Sequence, residues 1–118
     1  MIEKVPISIV ETPEFLAATH KLMSEAERVL LVDYLAYNPM AGDLIPGTGG
    51  VRKLRWALEG RGKRGGARVV YFYHDAGMPL FALTAYAKNE RADLSQQDRN
   101  DFKRLTAMLV EAFKRRKA

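Results

Sequence analysis

Val51–His74 reads V-R-K-L-R-W-A-L-E-G-R-G-K-R-G-G-A-R-V-V-Y-F-Y-H. Apolar residues alternate or cluster at both ends, around a centre rich in glycine and cations. Val51–Ala57 and Ala67–His74 predict two strands, joined through L-E-G-R-G-K-R-G-G as a β-hairpin. Seven Lys and Arg residues lie in this segment against one acid, Glu59, for a formal +6, whereas the whole chain carries +5. The net charge is therefore local. A rigid sheet bearing it suits a polyanion, because neutralising phosphates releases condensed counterions.

Working outward, Asp75-Ala76-Gly77 is a turn, and Pro79–Tyr86 predicts a third strand. Three strands adjacent in sequence predict an antiparallel meander. Upstream, Val5, Ile7 and Ile9 alternate around Pro6, which predicts a short edge strand. Thr12 caps a helix with Pro13 at its first position. Ser24 with Glu27 forms a capping box, so a second helix starts there and stops at Asn38-Pro39. Met40–Gly50, ending G-T-G-G, is expected to be irregular. After the third strand, Ser95 with Asp98 starts a C-terminal helix with Phe102, Leu105, Leu109 and Phe113 on one face. Lys114–Lys117 is expected to be a solvated helix end, where cations suit the dipole, with a polyanion contact as the alternative. The expected architecture is α+β: a small curved antiparallel sheet, made mixed by the N-terminal strand, packed against an N-terminal helical hairpin and a C-terminal helix.

The chain has 118 residues, which suits one domain over 1–118. It has no cysteine, which excludes disulfides, thiolate zinc sites and a cysteine nucleophile. No stretch approaches the ~20 apolar residues of a spanning helix, and the expected location is cytoplasmic.

Strand alternation puts Lys53 and Arg55 on one face and Arg52, Leu54 and Trp56 on the other. With Arg68 on the next strand and Lys88 after Tyr86, a cationic shelf is expected. Lys53, crowded by Arg55 and Arg68, is expected to release its proton more readily than an isolated lysine. Gly60–Gly65 spells G-x-G-x-x-G, but a strand follows it rather than a helix, so it is not a dinucleotide fingerprint. His20 lies mid-helix and His74 flanks a turn. Neither joins a His/Asp cluster, and no metal site or cofactor is expected.

Three blocks, G-D-L-I-P-G-T-G-G-V-R-K-L-R-W, G-R-G-K-R-G-G-A-R-V-V-Y-F-Y and L-T-A-Y-A-K-N-E-R-A-D-L-S, resemble the RelE/ParE superfamily of bacterial toxins, most of all its HigB branch. They come in the family's order and span roughly Gly42 to Ser95. The resemblance implies the toxin of a type II toxin–antitoxin pair. It implies a ribosome-dependent mRNA endoribonuclease, acting in the 70S A site without a metal. There the ribose 2′-OH attacks the scissile phosphate, leaving a cyclic phosphate and a free 5′-OH. By position, Lys53, Arg55, Arg68 and Lys88 match the family's basic residues. Asn89 stands where RelE has a further arginine, and Ser95 where it has a tyrosine, so that tyrosine's role does not transfer. Lys63, Arg64, Tyr71, Tyr73 and Tyr86 are left as candidates for the proton-transfer role, Tyr86 foremost. Arg52, Arg61, Lys63, Arg64, Tyr71, Tyr73 and Arg91 are expected RNA contacts. The implied partners are the ribosome with its message and a cognate antitoxin of the HigA-like helix-turn-helix kind, with DNA reached only through the antitoxin and no membrane. Competing readings are a ParE-like gyrase inhibitor, which usually lacks the basic sheet cluster, and a non-catalytic nucleic-acid-binding module.

Overall fold

A computed structural model describes residues 5–58, 66–90 and 93–117. The predicted elements appear in the predicted order: β1 (Ile9–Glu11), α1 (Pro13–Leu22), α2 (Glu25–Tyr37), β2 (Asp43–Leu44), β3 (Val51–Trp56), β4 (Ala67–Phe72), β5 (Leu80–Ala87) and α3 (Gln96–Lys117). β2 is the addition. The loop expected to be irregular contributes two residues that pair with Arg52 and Lys53.

The five strands form one sheet in the order β1-β5-β4-β3-β2. β3, β4 and β5 make the expected antiparallel meander, and β1 runs parallel to β5. The class is α+β with a mixed, curved sheet. Among the described residues, no helix is long and apolar enough to cross a membrane.

Local chemistry explains the helix ends. The Thr12 hydroxyl accepts from the Phe15 N–H at 3.1 Å and donates to the Ala82 carbonyl at 2.9 Å, so one side chain caps α1 and ties it to the sheet. Ser24 and Glu27 form the capping box of α2. Ser95 and Asp98 exchange side-chain-to-backbone bonds at 3.0 and 3.1 Å at the start of α3.

The sheet separates two apolar layers. On one face, Phe15, Leu22, Leu31 and Leu35 of α1 and α2 meet Ala67, Val69, Tyr71, Leu80 and Ala82. On the other, Phe102, Leu105, Leu109 and Phe113 of α3 meet Val51, Val70, Phe72, Leu83 and Tyr86. β4 is central and almost wholly buried, apart from half-buried Arg68.

Tyr71 is fully buried, and its hydroxyl accepts a 2.8 Å hydrogen bond from the Gly42 N–H. Burial pushes the phenol pKa up, against the opposing pull of that hydrogen bond and of Arg52. The phenol is an anchor for the segment before β2. Tyr71→Phe leaves the Gly42 N–H without its acceptor and is expected to cost about 1–2 kcal/mol of stability, measured by denaturant unfolding.

Candidate nucleic-acid interface

The β3–β4 register sets Arg55 directly opposite Arg68, and the β4–β5 register sets Arg68 opposite Tyr86. Directly opposed residues project from the same face, with Cβ atoms about 4.5–5.5 Å apart. Lys53, opposite Val70, is on this face too, two residues from Arg55 along β3. Lys53, Arg55 and Arg68 thus share one face, that of α3. The α3 core fills this face around Val51, Val70 and Phe72. The row Arg55–Arg68–Tyr86 lies toward the hairpin end of the strands.

Exposure differs along the row. Arg55 is exposed and Arg68 half-buried. Among the described residues, no carboxylate forms an ion pair with either. Tyr86 is 2% exposed, and its hydroxyl is buried, so it floors the shelf rather than facing solvent. Lys88 is exposed in the turn after β5, where its backbone N–H donates to the Gly66 carbonyl at 3.3 Å.

Arg52 is turned to the other face. Its Nη1 donates to the Gly42 carbonyl at 2.8 Å and the Met40 carbonyl at 3.3 Å, holding the loop that leads into β2. Tyr71 is buried on that face, and half-buried Tyr73 packs against the same core. The structure therefore does not bring Arg52, Tyr71 and Tyr73 together with Lys53. Arg61, Lys63, Arg64 and Arg91 lie outside the described residues.

Two residues of the site were missed in the sequence. Asp93 stands beside Lys53, with Oδ1 3.3 Å from Nζ, and its Oδ2 is 3.1 Å from Arg99 Nη2 on α3. Lys53 therefore has a carboxylate beside it as well as the two arginines. Asp93 is an opposite charge from 40 positions away. The string A-D-L-S is legible as a turn before a helix cap, but nothing in it shows which strand that turn will face.

The hydrogen bond from the Leu94 N–H, followed by that from Lys53, holds the Asp93 carboxyl below its ordinary value of 3.8. The folded chain therefore protonates Asp93 at lower pH than the unfolded chain does. The Lys53–Asp93–Arg99 link contributes stability above pH 3.8, and the contribution is lost as pH falls through the folded value. Asp93 is half exposed, so the effect is screened and small. A carboxyl-carbon NMR titration is expected to place the Asp93 midpoint below those of the exposed aspartates. Lys53→Met is expected to move that midpoint upward.

A partly exposed cationic row on a rigid sheet, with a tethered lysine and, among the described residues, no acid paired with its two arginines, can bind a phosphodiester and stabilise added charge on it. The sequence model described as the RelE toxin of the RelE/RelB toxin-antitoxin system matches residues 20–117. The match takes in the end of α1 from His20 onward, all of α2, the whole meander and α3. Such a toxin has a cognate antitoxin as its partner, and the protein belongs to the RelE toxin family.

Proposed function

We propose that the protein is a ribosome-dependent mRNA endoribonuclease of the HigB-like branch, acting in the cytoplasm without a metal. The observation that carries this reading is the Arg55–Arg68–Tyr86 row with Lys53 beside it, on a face that α3 leaves partly open. Cleavage requires the 2′-OH to attack the adjacent phosphorus while the 5′-oxygen departs. The protein's task is then to stabilise a more highly charged phosphorane and to hold the backbone in line.

Arg55 and Arg68 offer forked donors to the non-bridging oxygens. Lys53, tethered by Asp93, presents an ammonium to the same centre. Tyr86 packs beneath Arg68 and fixes its approach, and Lys88 contacts a flanking phosphate. Among the described residues, few groups here are poised to move a proton, which supports dependence on the ribosome to set the attacking geometry. The proposed antitoxin is HigA-like, with a helix-turn-helix domain that makes the pair's DNA contacts.

The test is to incubate the purified chain with ribosomes carrying a defined message, and with the same message free. Fragments with 5′-hydroxyl and cyclic phosphate ends are expected on ribosomes only. Trapped gyrase–DNA complexes with an intact message would replace this reading with the gyrase one. Salt-sensitive RNA binding with no cleavage and no growth arrest would leave a binding module.

A further inference from the structure

The cationic face does not end at Lys53. Asp93 holds a cation on each of its oxygens, Lys53 of β3 on one and Arg99 of α3 on the other. Together the three side chains are net positive. Asp93 occupies one ammonium donor and one N–H of the guanidinium fork, which leaves the other donors for an anion.

Arg99, Lys103 and Thr106 recur at i, i+4 and i+7, so they share one face of α3. That face is turned to β3 and the loop before it. The Thr106 hydroxyl donates to the Thr48 carbonyl, and a Cβ on Gly49 would lie 3.9 Å from the Lys103 Cα. Arg99 is linked to Lys53 and Lys103 lies beside Gly49, so α3 runs against β3. Arg99 is half-buried and Lys103 exposed. Among the described residues, no carboxylate forms an ion pair with Lys103.

The other side of Lys53 carries the opposite sign. Asp43 of β2 stands directly opposite it in the register and projects from the same face. A polyanion that reaches Lys53 from Arg55 is repelled along β2 and drawn toward α3. Arg68, Arg55, Lys53, Arg99 and Lys103 thus form one track, from the hairpin end of the sheet to the loop at Gly49.

We propose that Arg99 and Lys103 form a second phosphate subsite, which holds the backbone of single-stranded RNA beyond the linkage seated at Arg55 and Arg68. The inference rests on the nuclease reading only in naming that linkage as the one cut. It gives α3 a part in substrate binding besides its part in the core. Phosphate contacts of this kind set the path of the strand and read no sequence.

Fluorescence anisotropy of the full chain with a single strand of about twelve 2′-O-methyl ribonucleotides tests this, since the probe lacks the attacking hydroxyl. Binding is followed across a salt series. Arg99→Gln and Lys103→Gln are each expected to flatten the slope of log K against log salt by about 0.7, and to weaken binding about fivefold at about 0.1 M salt. Arg104→Gln is the control. It removes the same charge one residue from Lys103, from a side chain paired with Asp101, and should leave the slope in place. A duplex RNA of the same length, standing for ribosomal helices, should bind the wild type and Lys103→Gln with equal slopes. An unchanged slope for the single strand in Lys103→Gln overturns the proposal. So do an equal change in Arg104→Gln, an equal effect on the duplex, or no binding of the single strand at the lowest salt. Message cleavage by the wild type is measured in parallel. The expected slopes in a chain that never cleaves uphold the subsite and retire the nuclease reading alone, whereas cleavage with unchanged slopes retires the subsite alone.

Discussion

Lys53→Met is expected to lower ribosome-dependent message cleavage by about 10²–10³-fold, the size seen when one preorganised charge-stabilising donor is removed from a reacting centre. The unfolding transition should barely move, because Lys53 is only half-buried and its pairing with half-exposed Asp93 is screened by solvent. Methionine keeps the stem and removes the charge. Lys53→Arg separates two roles for the ammonium. Arginine keeps the charge and cannot accept a proton at neutral pH. If Lys53 acts by its charge, as its contact with Asp93 favours, the arginine variant retains substantially more cleavage than the methionine variant. Equal loss in both would make Lys53 the proton acceptor. Unchanged cleavage in Lys53→Met would remove Lys53 from the mechanism.

Gly49→Ala is expected to destabilise the fold by about 3 kcal/mol or more, through left-handed backbone strain and a steric overlap together. Gly49 has φ +78°, and a Cβ built there would collide with Thr106 Oγ1 on α3. That hydroxyl donates to the Thr48 carbonyl at 3.1 Å in a buried position. The Thr48 hydroxyl in turn donates to the Ile45 carbonyl at 2.6 Å and accepts from the Val51 N–H at 3.1 Å. G-T-G-G is therefore the joint at which the loop before β3 clasps α3 and starts the strand that carries Lys53 and Arg55. Thermal unfolding should show a loss of several degrees or more, with cleavage falling alongside. Gly47→Ala is the comparison: φ is also positive, but a Cβ there meets no atom within 4 Å, so only the strain remains.

Much of the fold was legible because the local signals agree. Thr12-Pro13, Ser24 with Glu27 and Ser95 with Asp98 each mark a helix start, and each cap forms as read. The meander follows from three apolar runs separated by turns. β2 was not legible, because Asp43 and Leu44 form a strand only by pairing with β3. Alternation also assigned the faces of Arg52, Lys53 and Arg55 correctly. It could not assign their tasks. Arg52 became a clamp on backbone carbonyls and Tyr71 a buried anchor, since both depend on where the segment from Met40 to Gly42 comes to rest. Asp93 was out of reach for the same reason: its contact with Lys53 is made by the packing of α3, not by any spacing in the chain.

The most direct test of the central claim is a double-mutant cycle on ribosome-dependent cleavage with Arg55→Ala, Arg68→Ala and the pair. If both guanidiniums act on one phosphate, the double variant loses less than the product of the single losses, with a coupling of about 0.5–3 kcal/mol. Single effects that multiply independently would place the two arginines on separate tasks and contradict a shared phosphate site.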